Sequence, residues 1–320
     1  MKQKGACNAL SFQEQLKGRD LLTLADYSKA EIAYLLELAD QIKQKRKNGE
    51  VYQPLKGKTL GMIFEKSSTR TRVSFEAGIY QLGGTGLFLS ANDIQIGRGE
   101  PISDTAKVLS GYLDGIMIRT FSQKDVEDLA ENASIPVING LTDNYHPCQV
   151  LADLQTIKEE KGKLDGLKLA YIGDGNNMAH SLMIGCAKMG LDVAIAAPKD
   201  YQPKTEIIEL AKSFADGSEV VVTEDAVEAV KDADVIYSDV WASMGQEAEQ
   251  IEREKAFAEY QVNSALFAHA QSDAIFMHCL PAHRGEEVTA EIIDGPQSVV
   301  FQEAENRLHA QKALMVALMS

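Results

Sequence analysis

Thr59-Leu60-Gly61-Met62-Ile63-Phe64 runs through Glu65-Lys66 into Ser67-Ser68-Thr69-Arg70-Thr71-Arg72. The first six residues read as a parallel strand buried on both faces, and the hydroxyl-rich stretch opens a helical pattern that stops at Gly83-Gly84. The segment is therefore strand, short polar turn and helix N-terminus. A helix start exposes unpaired backbone N–H groups and a partial positive charge, so it favours an anion. Arg70 and Arg72 stand in that first turn against the preference of the dipole, and a bound phosphate would remove the conflict. Residues two apart on a helix lie on different faces, so one of the pair is expected to face the site, and Arg70 is assigned to it. Taken alone, the turn could also be a plain N-cap followed by two solvated arginines.

Outward from this turn, strands and helices alternate. A helix over 29–47 precedes it, and short buried strands are expected at 86–90, 115–119, 135–140, 167–172, 193–197, 220–222, 235–240 and 274–278. Helical patterns fill most of the intervals, including 201–216, and the polar stretch 91–101 reads as a binding loop or lid. This alternation predicts an α/β fold built on doubly wound parallel sheets. Such sheets bind ligands outside the carboxyl ends of their strands.

Several chemistry-bearing residues fall at those ends. Arg119 closes one strand; alone, it is either a surface charge or a ligand contact. In His146-Pro147-Cys148-Gln149, proline suits the first helical position, leaving His146 just before the helix and Gln149 in its first turn. Both could donate to a carbonyl oxygen that gathers charge, or His146 could serve only as a cap. The turn Gly173-Asp174-Gly175-Asn176-Asn177 suggests a second nucleotide-type half, but Met178 stands where a dinucleotide fingerprint needs glycine. Asp239 ends another strand as a cap or a ligand contact, and Cys279 follows the last. His278 with Cys279 lacks a second ligand pair at usable spacing, so no metal site is assigned. A tail over 303–319 reads as an amphipathic helix, with Arg307 near its start repeating the cation anomaly.

The 320 residues suffice for two domains of ordinary size, and 45% hydrophobic with 25% charged residues is globular composition. A net charge of -15 argues against nucleic acid, so the arginines must serve a small anion locally. The cysteines, at 7, 148, 186 and 279, form no disulfide framework, which fits a reducing cytoplasm. Neither a signal-like stretch over 1–18 nor a membrane-length apolar run is read.

Together, Ser68-Thr69-Arg70-Thr71, Arg119, His146-Pro147-Cys148-Gln149, Asp239-Val240-Trp241-Ala242-Ser243-Met244-Gly245 and His278-Cys279-Leu280-Pro281 resemble the carbamoyltransferases, and the ornithine branch in particular. The resemblance implies a carbamoyl phosphate-binding domain at 1–150, rejoined by a C-terminal helix (306–320) packing back on it, and an ornithine-binding domain at 151–305. It implies Ser68, Thr69, Arg70 and Thr71 for the phosphate. Arg119, His146 and Gln149 follow for the carbamoyl group, Arg307 for the same ligand, and Asn177, Asp239, Ser243, Met244, Cys279 and Leu280 for ornithine. Arg119, His146, Asp239 and Cys279 are the expected catalytic residues. No cofactor is implied, a cis Leu-Pro bond is expected after Cys279, and the assembly is a homotrimer or a multiple of trimers. Putrescine is the alternative acceptor, disfavoured because this loop is of the ornithine type; aspartate is disfavoured because the loop offers no basic pair. A binding protein that kept the fold without catalysis is a further alternative, against which the full donor set argues.

Overall fold

The computed structural model describes residues 12–243 and 245–320. Cys7, most of the stretch 1–18 and Met244 lie outside the described residues. The chain divides into two compact units, one running to Leu151 and taking back Arg307–Ser320, the other Ala152–Asn306. Among the described residues, no helix is long and apolar enough to cross a membrane.

In the first unit, α1 (Lys29–Lys47) is followed by β1 (Thr59–Phe64), α2 (Thr69–Gln81), β2 (Thr85–Ser90), α3 (Ile102–Ser110), β3 (Gly115–Arg119), α4 (Gln123–Asn132), β4 (Val137–Leu141) and α5 (Pro147–Lys161), which continues into the second unit. The four strands are parallel in the order β2-β1-β3-β4. The order reverses between β1 and β3, where Phe64 lies opposite Arg119. Ile63, Ile116, Ile118, Val126, Leu129 and Val137 pack one face of this sheet. The stretch 91–101 carries a single 3-10 turn, Gln95–Arg98.

The second unit contains β5 (Lys168–Ile172), α6 (Asn177–Met189), β6 (Asp192–Ala196), α7 (Thr205–Phe214), β7 (Val220–Thr223), α8 (Ala226–Val230), β8 (Val235–Ser238), α9 (Gln250–Ala256), α10 (Ser264–Phe267), β9 (Ile275–His278) and α11 (Ala290–Ile293). Its parallel order is β7-β6-β5-β8-β9, reversing between β5 and β8. The last helix, α12 (Val300–Met319), begins in this unit and ends in the first.

Five elements depart from the sequence reading. The helix expected over 201–216 starts only at Thr205, because Pro203 has no N–H and Gln202 before it is extended (φ -72°, ψ 155°). Helices α9, α10 and α11 have no counterpart in that reading; each spans two turns or fewer, too short for a clear apolar period. The tail helix starts three residues earlier than expected, at Val300, so Arg307 sits two turns inside it rather than near its start. Residues 309–319 are buried on every side, so this end of α12 is a core helix and not an amphipathic one. It packs within the first unit: Gly18 N–H donates to Leu318 O at 2.9 Å, and Lys312 Nζ to Gln81 Oε1 at 3.1 Å.

Pro203 also seals the turn after β5. Gly175 N–H donates to Tyr201 O at 2.7 Å, and a Cβ on Gly175 would lie 2.2 Å from Pro203 N. The atom it would meet is backbone. Gly175→Ala is therefore expected to lose about 1–3 kcal/mol of stability, read by urea denaturation. An unchanged midpoint would show that the turn yields freely.

Candidate active site

The first cluster is built where the first sheet reverses. Ser68 is the N-cap of α2, its Oγ accepting from Thr71 N–H at 3.1 Å. That is the plain capping role, and it holds the first turn of the helix in place. Thr69 is exposed. Arg72 lies 3.8 Å over the Phe88 ring and 3.5 Å from Glu76 Oε2. Arg70, by contrast, is half-buried, and its charge reaches the His146 ring. The different-faces argument thus separates the two arginines as expected.

Thr71 is buried at the centre of the cluster. Its Oγ1 accepts from Arg119 Nη1 at 3.5 Å and from Arg307 Nη2 at 3.3 Å. Arg307 Nη1 also donates to Gln149 Oε1 at 2.5 Å. A hydroxyl that accepts twice keeps its own proton for donation to a third group. The arginines polarise it in that sense.

His146 precedes Pro147 at the start of α5 and is buried. Burial and then the charges of Arg307, Arg119 and Arg70 hold its pKa well below 6.5. The ring is neutral at neutral pH, an N–H donor rather than a cation. Cys148 points elsewhere: its Sγ donates to Asn139 O at 3.4 Å, and burial pushes the thiol up to about 12. Sequence reasoning did not single out Lys66, which is buried, pairs with Asp143 and lies 4.2 Å from the centroid of the Phe121 ring. Its place in the turn between β1 and α2 was the available signal.

The second cluster forms at the reversal between β5 and β8. Asp239 follows β8 and is buried. Its Oδ1 accepts from Val240 N–H at 2.8 Å and from Cys279 Sγ at 3.1 Å, and its Oδ2 accepts from Asn176 Nδ2 at 3.0 Å. The partner is Asn176, the N-cap of α6; Asn177, the residue expected to bind ornithine, follows it as the first helical residue and is partly exposed. Asn176 had no role in the sequence reading. Burial of the thiol and the neighbouring Asp239 push the Cys279 pKa well above 9.0, so Cys279 is a protonated donor and not a thiolate nucleophile.

Asp239, His278 and Cys279 bring three donor atoms within 4.8 Å of one another, a set that chain spacing did not reveal. Both His278 ring nitrogens, however, are engaged: Nδ1 accepts from Leu280 N–H at 2.9 Å, and Nε2 is 3.2 Å from Glu287 Oε1. Leu280 has φ 57° and a cis bond to Pro281. Ser243 N–H donates to Gln246 Oε1 at 2.9 Å. Arg253, from the unexpected α9, donates from Nη1 to Asp174 Oδ2 and Trp241 O, both at 2.9 Å. It ties the turn after β5 to the segment that leads to Ser243.

The chain has counterparts among known proteins. The description "Aspartate/ornithine carbamoyltransferase, carbamoyl-P binding domain" matches residues 19–159, and its companion "Asp/Orn binding domain" matches 165–318. The chain belongs to the aspartate/ornithine carbamoyltransferase family. Within that family it is 70% identical over 314 residues to the ornithine carbamoyltransferase of Oceanobacillus iheyensis, covering 97% of this chain and 98% of that one. It is 66% identical over 310 residues to the enzyme of the same name from Bacillus subtilis, covering 96% of each. The ornithine carbamoyltransferase structure from Pyrococcus furiosus superposes with a TM-score of 0.93 at 57% identity, over 95% of this chain and 98% of that one.

A histidine held neutral in the fold makes stability depend on pH. The unfolded chain binds a proton near pH 6.5 and the folded chain does not, so the His146 contribution is complete above that pH and is lost on acidification. Below it, unfolding free energy is expected to fall by about 1.4 kcal/mol per pH unit more in the native chain than in His146→Gln. Urea titrations between about pH 5 and 7 measure this difference; equal slopes would contradict a neutral ring.

Proposed function

We propose that the first unit is the carbamoyl phosphate-binding domain and the second the ornithine-binding domain. The chain transfers the carbamoyl group of carbamoyl phosphate to the δ-amine of L-ornithine, giving L-citrulline and phosphate. The observation that carries the assignment of residues is Thr71 Oγ1, on which Arg119 and Arg307 converge beside a neutral His146.

In this reading Ser68, Thr69, Arg70 and Thr71 take the phosphate at the α2 N-terminus, with Arg307 balancing its charge. Arg119, His146, Gln149 and Thr71 surround the carbamoyl group. Asn177, Asp239, Ser243, Met244, Cys279 and Leu280 form the ornithine set, with Asn176 fixing the Asp239 carboxylate. The neutral amine attacks the carbonyl carbon, a C–N bond forms, and the oxygen of the tetrahedral intermediate gathers negative charge. Arg119, the Thr71 hydroxyl and the imidazole N–H are preorganised donors for that oxygen. The C–O bond to phosphate then breaks as the extra proton on the attacking nitrogen passes to the leaving oxygen, and the departing hydrogen phosphate dianion is balanced by Arg70, Arg307 and the helix dipole. Asp239 and the protonated Cys279 orient the amine, which must lose a proton. Catalysis by these residues is donor preorganisation plus proximity. The family resemblance supports a homotrimer or a multiple of trimers, working in the cytoplasm.

Assays with carbamoyl phosphate are expected to yield citrulline from ornithine and little carbamoylputrescine from putrescine; the reverse preference would overturn the acceptor. Arg70→Ala should weaken carbamoyl phosphate binding by about ten- to a hundredfold in a direct titration, the loss typical of a charge-assisted hydrogen bond. Asp239→Ala should spare that affinity and raise the KM for ornithine. Because an alkylamine titrates near ~10, kcat/KM for ornithine should climb between about pH 7 and 9. A flat profile would rule out amine ionisation as the controlling step.

A further inference from the structure

Two carboxyl groups in the second unit have no part in the chemistry above. Glu303 comes from α12 and Asp153 from α5, and both side chains are fully buried. Glu303 Oε1 accepts from the Tyr237 hydroxyl at 3.0 Å, and Oε2 accepts from the His278 backbone N–H at 2.9 Å. Tyr237 stands two residues before Asp239, and His278 immediately precedes Cys279. One carboxyl group therefore ties together the strand ends that carry both groups. Those ends are already in register, Ser238 lying opposite His278.

The Asp153 and Glu303 side chains are also hydrogen-bonded to each other. Ionised carboxylates are acceptors only, so this bond requires a proton on one of the two. Two adjacent buried carboxylates cannot both ionise without a large penalty. Burial, and after it the charge of Asp153, push the Glu303 carboxyl well above its usual range. The ionisable groups whose charges meet those of the pair are Tyr237 on β8, Cys279 after β9 and Cys186 on α6; the His278 ring faces Glu287 instead.

We propose that Asp153 and Glu303 share one proton across a buried hydrogen bond, and that this pair positions Asp239 and Cys279 for the amine substrate. The positioning half rests on the assignment of ornithine to Asp239 and Cys279; the shared proton does not. With the proton in place, Glu303 accepts from both strand ends while the site carries a single negative charge. Without it, two charges repel in a buried volume, and the strand ends lose a common anchor.

Infrared difference spectroscopy tests the proton on the whole chain at pH 8, above the Asp174 carboxyl at about 6. A protonated-carboxyl band is expected in the native protein and absent from Asp153→Asn, whose amide donates to an ionised Glu303. No such band in the native protein overturns the proposal. Kinetics test the positioning. Asp153→Ala is expected to raise the KM for ornithine about tenfold or more, leaving carbamoyl phosphate affinity within about twofold, while Asp153→Asn restores the KM to within about threefold of native. A native KM in the alanine variant, or an asparagine variant impaired tenfold, overturns the positioning role. Should Asp153→Ala fail to fold, the native spectrum and the asparagine kinetics still decide. Asp239→Ala assayed alongside separates the two ideas: if it uses ornithine normally, the amine-site reading has failed, and the infrared band alone judges the proton.

Discussion

Three guanidinium groups, from Arg70, Arg119 and Arg307, act on one buried imidazole. Like charges brought this close repel, and the surroundings are too buried for water to screen them fully. The first unit holds Arg119 and Arg307 there through uncharged acceptors, the Thr71 hydroxyl and the Gln149 amide. The arrangement stores positive potential beside two helix N-termini, those of α2 and α5. Everything proposed for the anionic substrate depends on this concentration of charge. In a chain of net charge -15 it is a local exception, not a property of the surface at large.

The second unit solves a different problem, the presentation of a carboxylate and a thiol without making either reactive. Asp239 is fixed by three donors from three segments: the next backbone N–H, the Asn176 cap and the Cys279 thiol. The thiol stays protonated because burial, and after it the charge of the carboxylate it faces, opposes a second negative charge. Behind them, Tyr237 and His278 are held by Glu303. A donor network of this kind sets direction rather than acidity, which suits the binding of an amine that must approach neutral and aligned.

Much of the architecture was legible from the chain, because buried parallel strands read as continuous apolar runs. The bounds of β1 and α1 coincide with the expected ones. The sequence reading failed where local rules were overridden. Pro203 cut short a helix whose apolar period ran through it, and α12 lost its polar face because residues 309–319 are enclosed on all sides. The short helix α9 went unread, and with it Arg253, whose ion pair to Asp174 is buried. Asn176 was not singled out, since an N-cap is defined by backbone conformation and not by residue type.

The sequence by itself determined the α/β class, the strand–turn–helix that gathers Ser68 to Thr71, and the residue types at each strand end, because these follow from local periodicity, capping and turn chemistry. It also carried the motifs by which the family is known. Only the tertiary structure decided that Arg307, well inside a helix far along the chain, meets Thr71 and Gln149, that Arg72 turns to Phe88, and that Asp239, Asn176 and Cys279 form one network. Strand order and helix register fix those meetings, and neither is written in the spacing of residues along a single segment.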